Sequence, residues 1–212
     1  MTMVEPLTAD ELHADNAWWR IYQDSFPARE REPAEVIVES LRRGIGMAFC
    51  ARAQGVTCGL ASTHLLKDPP AVFLVYLAVA SDDRSKGIGK ELLTNAWEAG
   101  AARLRAEGRP PLGLIWEVDP PGPAAGSDAH RRIAFFERNG GYLLEPPYLQ
   151  PPVDGVAAVP MRLMFRPSPG QGIPPPATMD ALVRALYFEK YEALNRIDRS
   201  LLDDLLSRNR DS

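Results

Sequence analysis

The sequence predicts a mixed α/β fold of the α+β kind, with strands and helices alternating around one sheet. Three observations carry this. Ala71 to Ala80 is an unbroken apolar run of strand character, residues 87 to 106 have helical periodicity, and Met47 to Ala53 and Val56 to Leu66 flank Gln54-Gly55 as a hairpin. Ahead of the hairpin, a short strand covers about Met3 to Leu7. Thr8 and Glu11 then have the spacing of a capping box and open a first helix that runs to about Ser25 and stops at Phe26-Pro27. A second helix starts after Pro33, carries Val36, Ile37, Val38 and Leu41, and ends at Gly44 or Gly46. The turn Lys67-Asp68-Pro69-Pro70 leads into the apolar strand, and the third helix follows it. Leu112 to Asp119 reads as a fifth strand, and P-P-G-P-A-A-G after it cannot be regular structure. A fourth helix, Ser127 to Asn139, is capped by Ser127 or Asp128 and ended by Gly140-Gly141. A last pair of strands lies near Tyr142 to Leu144 and Ala157 to Phe165.

These elements form a domain over residues 1–166. Residues 167–178, P-S-P-G-Q-G-I-P-P-P-A-T, have the composition of a stiff linker. Residues 179–212 form a C-terminal amphipathic helix, with Met179, Leu182, Val183, Leu186, Tyr187, Tyr191, Leu194, Ile197, Leu201 and Leu205 on one stripe. Such a stripe needs a surface to bury. It is expected to fold back on its own domain or onto a second copy, making the protein a monomer or a homodimer through this helix.

Composition narrows the function. With 24 basic against 28 acidic residues the net charge is -4, so no basic surplus drives nucleic-acid binding. The apolar run 71–80 is half of the ~20 residues that a membrane-spanning helix needs, so no membrane partner is expected. Cys50 and Cys58 flank the hairpin turn, and the start M-T-M-V-E-P-L-T-A-D lacks a basic segment followed by an apolar one. A reduced, cytoplasmic protein is expected. His13, His64 and His130 lack metal-ligand spacing, so no metal is expected either.

The most informative stretch joins the apolar strand to the third helix. Glycine costs a helix about 1 kcal/mol relative to alanine, so Gly87 and Gly89 in a first turn imply close approach to the backbone. The first N–H groups of a helix lack internal partners and lie at the positive end of its dipole, and Arg84, Lys86 and Lys90 add charge. This is a pyrophosphate cradle. A dinucleotide fingerprint would require glycine at Leu92, and a phosphate loop would require glycine at Arg84 and a hydroxyl at Glu91.

What remains, R-x-x-G-x-G at Arg84, Gly87 and Gly89 directly after Leu77-Ala78-Val79, resembles the acetyl-coenzyme A signature of the GNAT family of N-acetyltransferases. The element order over residues 1–166 is also that of the family's fold, a mostly antiparallel central sheet flanked by helices. A-F-F-E-R-N-G-G-Y at 134 to 142 is similar to a second family segment, with substitutions. The resemblance implies that acetyl-CoA binds at Leu77, Ala78, Val79, Arg84, Ser85, Lys86, Gly87, Ile88, Gly89 and Lys90, the carbonyl meeting a backbone N–H where the fourth strand bulges away from the fifth. It also implies transfer to an amine acceptor.

Transfer requires a neutral nucleophile, and an alkylammonium of pKa ~10.4 is charged at pH 7, so a base is expected. Glu117 is the candidate. Its strand L-I-W-E-V-D resembles the L-E-V segment of the ribosomal-protein alanine acetyltransferase branch, whose matching glutamate is the base. Alternation places Glu117 on the opposite sheet face from Trp116 and Val118; its structural alternative is pairing with Arg131 or Arg132. The family's tyrosine acid falls at Phe136, which has no proton to give. Tyr142 and Tyr148 are the nearest hydroxyls. Tyr148 is favoured because Pro146-Pro147-Tyr148-Leu149-Gln150-Pro151 reads as a loop holding a side chain over the site, whereas Tyr142 begins a strand and packs. Neither cysteine lies where an acyl-enzyme would need it, which leaves direct transfer in a ternary complex.

W-W-R-I-Y-Q-D-S-F-P-A-R-E-R-E at 18 to 32 resembles the turn that roofs the acceptor site in small-amine acetyltransferases. Glu30, Glu32 and Glu35 would either attract a cationic amine or open a solvated helix. A small-molecule primary amine is therefore the expected acceptor, with a protein or peptide amino terminus as the alternative. Phe136 and the appended helix keep open a different class, a coenzyme A-binding sensor without catalysis.

Overall fold

The structure, a computed structural model, describes residues 2–122 and 127–210; the remainder of the P-P-G-P-A-A-G segment, 123–126, lies outside the described residues. One sheet of seven strands organises them: β1 (Thr2–Leu7), β2 (Gly46–Ala53), β3 (Val56–Lys67), β4 (Pro70–Val79), β5 (Gly113–Val118), β6 (Tyr142–Gln150) and β7 (Val159–Pro167). Their order is β1-β2-β3-β4-β5-β7-β6, and only the β4–β5 pair is parallel. Gln54 and Gly55, both at positive φ, close the β2–β3 hairpin as a two-residue turn whose hand suits the strand twist.

The first expected helix is two, α1 (Ala9–Ala14) and α2 (Asn16–Ser25). Asp15 causes the break. One of its carboxylate oxygens accepts from the Trp18 N–H at 3.0 Å and the other from Thr57 at 2.8 Å, so the side chain competes for N–H groups that a continuous helix would use. α3 (Ala34–Arg42), α4 (Ile88–Ala106) and α5 (Asp128–Arg138) lie close to their expected positions. Pro146-Pro147-Tyr148 is not a loop. It belongs to β6, which the structure extends to Gln150. The prolines are tolerated because β6 is the sheet edge and its register to β7 shifts between Leu143 and Pro147.

The C-terminal region is not one helix either. α6 (Pro176–Ala185) starts inside the proline-rich stretch, widens into a π-helical stretch at Leu186–Glu192, and α7 (Arg199–Arg210) follows a break where Arg196 has positive φ. Leu201, expected on the buried stripe, is 38% exposed as a result.

α4 and α5 cover one sheet face, packing Leu92, Trp97, Ile133 and Phe136 on Val72, Leu74, Trp116 and Val118. The other face is shared. α1 to α3 cover its first half at Leu60 and Tyr76, and the C-terminal segment folds back over Phe73, Ile115, Leu163 and Phe165. Burying those large side chains is worth about 1.5–3 kcal/mol each, which explains why the apolar stripe closes on its own chain. No helix of the described residues is long and apolar enough to cross a membrane.

Candidate active site

β4 and β5 pair only from Val72 to Leu74 and from Leu114 to Trp116, then separate. The cause lies on the other edge of β4, where Ser62 faces Tyr76 but Thr63 faces Leu74, leaving Val75 as an extra residue that bends the strand. The Ala80 N–H donates back to Cys58 at 2.9 Å, so strand alternation turns the N–H groups of Leu77 and Val79 toward the gap. Leu77, Ala78 and Val79 are correspondingly half-buried rather than core.

At the end of the gap Gly87 has φ 84 and Ser85 φ 64, a backbone kink that presents the start of α4 to solvent. Nothing lies within 4 Å of where a Gly87 β-carbon would be. The N–H groups of residues 87–89 have no acceptor among the described residues, and no side chain caps the helix. Arg84 reaches back to the Val79 carbonyl at 3.4 Å, and Lys86 pairs with Asp83 at 2.8 Å. A free helix N-terminus with an open glycine and flanking cations fits an anionic pyrophosphate.

Glu117 lies on the far side of the gap, facing away from Trp116 and Val118 as alternation requires. Arg132 pairs with Asp119 and Arg131 with Asp128, so neither takes Glu117. Its carboxylate instead accepts from the Tyr148 hydroxyl at 2.6 Å, from the Gln150 amide at 2.6 Å, and from the Tyr191 hydroxyl at 2.7 and 2.9 Å. Burial holds this carboxyl above the usual range; the three donors work against that, and the charge of Glu32 adds to it. Tyr148 and Tyr191 are pushed well above the usual phenol range, first by burial and then by Glu117, so both hydroxyls keep their protons.

Tyr142 is 52% exposed at the start of β6, so it does not pack as expected, and it makes no hydrogen bond to Glu117. Phe136 packs on Trp116 with ring centroids 4.7 Å apart. Beside Glu117, the turn between α2 and α3 buries Glu30 and Glu32 and leaves Glu35 exposed. A cleft of about 380 Å³ lies there, lined by Trp19, Tyr22, Arg31, Glu32, Val153 and Asp154. Trp18 is core, whereas Trp19 lines this cleft. Burial pushes the Cys50 thiol up to about 11, which suits a packing residue rather than a nucleophile. Among the described residues, no group of three His, Cys, Asp or Glu side chains is placed to hold a metal.

Residues 15–140 match the model of the Acetyltransferase (GNAT) family. The chain belongs to the GNAT acetyltransferase family. Similar solved structures of GNAT proteins extend the match. A Bacteroides thetaiotaomicron protein assigned to the GNAT family is 21% identical with TM-score 0.66, over 92% of this chain and 99% of its own. The ribosomal-protein-S18-alanine N-acetyltransferase of Escherichia coli is 20% identical with TM-score 0.53, over 82% of this chain and 100% of its own. Arabidopsis thaliana NAA60, solved with acetyl-CoA, is 15% identical with TM-score 0.59, over 80% of this chain and 100% of its own. No curated protein sequence matches. The GNAT resemblance carried by Arg84, Gly87 and Gly89 was thus sound.

Sequence reasoning missed Gln150 and Tyr191 as partners of Glu117. Gln150 was hidden in the presumed proline loop. For Tyr191 the signal was a phenol on an otherwise aliphatic stripe, a polar tip that must find a partner when buried.

Proposed function

We propose that the chain transfers an acetyl group from acetyl-CoA to a primary amine, that of a small molecule, by direct transfer with both substrates bound. The observation that carries this reading is the opening between β4 and β5, with unpaired backbone donors on one edge and the Glu117 carboxylate on the other. Acetyl-CoA would be held through its pyrophosphate at Arg84 to Lys90 and along the backbone of Leu77, Ala78 and Val79; it supplies the thioester carbon that the amine attacks, and the C–S bond breaks to release coenzyme A as a thiolate, a leaving group of thiol pKa ~8.5. The free N–H groups of β4 stabilise negative charge on the thioester oxygen. Glu117 takes the proton that the ammonium must lose, and its raised pKa brings the base nearer the operating pH. The acceptor enters by the cleft at Trp19 and Tyr22, whose aromatic wall suits a cation, with Asp154 on its rim, while Glu32 is held by Lys190. The two free buried thiols accord with a reducing, cytoplasmic setting.

Glu117→Gln keeps the shape and removes the base. Turnover, followed as thiol release over a panel of amines, should fall by about 10²-fold at pH 7, less at high pH, with acetyl-CoA affinity near wild type. A variant as active as wild type across the pH range would return Glu117 to a structural role. The same panel, extended to peptides, separates a small amine from a peptide amino terminus. Phe136 in place of the family's tyrosine favours a second reading, coenzyme A binding without catalysis. Binding with no thiol release from any amine would establish that one.

A further inference from the structure

Tyr191 lies outside residues 15–140, in the segment after the core family region, yet its hydroxyl bridges both oxygens of Glu117. The segment carrying it is fixed on every side. The Glu189 carboxylate accepts from the backbone N–H groups of Lys67 and Asp68 at 2.7 and 3.0 Å. Lys190, 2% exposed, pairs with Glu32 and donates to Asn195 at 2.9 Å. Tyr187 donates to the Leu149 carbonyl, one residue from Tyr148, and accepts from Asn209 at 3.0 Å. Four side chains within five residues therefore hold the π-helical stretch against β3, β6 and the α2–α3 turn, and π-helical turns recur at functional positions.

We propose that Tyr191 is a positioning residue for Glu117: it completes the site from the C-terminal segment by holding the carboxylate ionised and in one orientation. A hydroxyl carries a single proton, so by bridging it fixes the carboxylate plane while Tyr148 and Gln150 each fix one oxygen. A donor to a carboxylate favours the charged form, which opposes the burial that favours the neutral one. The titratable and charged groups facing Glu117 are Tyr148 from β6, Tyr187 and Tyr191 from the C-terminal segment, and Glu32 from the α2–α3 turn, itself paired with Lys190. Removing the Tyr191 proton donor leaves burial and Glu32 less opposed. The catalytic meaning of this rests on Glu117 being the base; its effect on Glu117 ionisation does not.

The test uses the full chain with glutamate labelled at the carboxyl carbon, the Glu117 resonance being the one lost in Glu117→Gln. In Tyr191→Phe that resonance should titrate about one unit higher, and the acid limb of kcat/KM should move with it, giving about tenfold lower kcat/KM on the acid side and a smaller loss above the limb, where only the orientation of Glu117 is affected. The KM for acetyl-CoA should not change. Replacing Tyr191 by 3-fluorotyrosine keeps the shape and strengthens the donor, so the resonance should move the opposite way; this also covers failure of Tyr191→Phe to fold. A Glu117 resonance that titrates identically in wild type, Tyr191→Phe and the fluorinated protein overturns the proposal. If the resonance shifts but Glu117→Gln turns over normally, Tyr191 still holds the carboxylate, and it is the base assignment that fails.

Discussion

A β-carbon at position 89 would lie 3.4 Å from the Phe135 ring, so alanine is just accommodated and valine must push Phe135 aside or project into the cradle. Gly89→Val is expected to weaken acetyl-CoA binding by at least tenfold, or about 1.4 kcal/mol, while the domain stays folded, as calorimetry and thermal melting would show. His64 offers a different residue-scale test. It is 2% exposed on β3, and burial, reinforced by the charge of Lys190, pushes its pKa well below the ordinary histidine value. The native state therefore excludes a proton that the unfolded chain accepts below about pH 6.5, so this source of stability is present above that pH and is lost as pH falls toward the native pKa. Wild type should lose up to about 1.4 kcal/mol per pH unit across that window relative to His64→Gln, measured by denaturant melts at pH 7.5, 6.5 and 5.5. Equal pH slopes for the two proteins would remove His64 from the account.

At the scale of elements, Lys190 and Glu32 tie the π-helical stretch to the turn that borders the cleft at Trp19 and Tyr22, with side chains 3% and 2% exposed. Breaking a buried pair from one side strands a charge and costs about 3–5 kcal/mol, whereas replacing both partners is often neutral. Lys190→Met should thus destabilise the protein more than the double change with Glu32→Met, which would show as coupling in a double-mutant cycle. Additive effects would mean that the two ends are held independently. The same scale explains why β6 was misread. Prolines at 146 and 147 forbid a central strand but not an edge strand with a register shift, and an edge position is a property of the sheet rather than of the segment.

For the molecule as a whole, the C-terminal segment behaves as a wall of the domain. Deleting residues 168–212 would uncover Phe73, Ile115, Leu163 and Phe165, an apolar area large enough to drive association. Aggregation or a changed oligomeric state is expected by light scattering, with acetyl-CoA binding retained because the residues proposed to hold it lie on β4 and at the start of α4. A monodisperse product in the oligomeric state of the full chain would show that the uncovered face does not drive association.

Local rules were enough to read much of this from the chain. Alternation in L-I-W-E-V-D put Glu117 opposite Trp116, Gly87 and Gly89 marked the strand–helix junction, where Gly87 takes positive φ, and Thr8 with Glu11 marked a real capping box. These succeed because periodicity, capping and glycine conformation act over a few residues. Asp15 breaking a helix, by contrast, depended on Thr57 and Arg52 arriving beside it from another part of the chain. By itself, then, the sequence determined the family, the strand–helix junction and the face on which Glu117 lies. Only the tertiary structure decided what meets Glu117 there, because Tyr148, Gln150 and Tyr191 converge through the pairing of β7 with both β5 and β6 and through the apolar stripe closing over the uncovered half of the sheet.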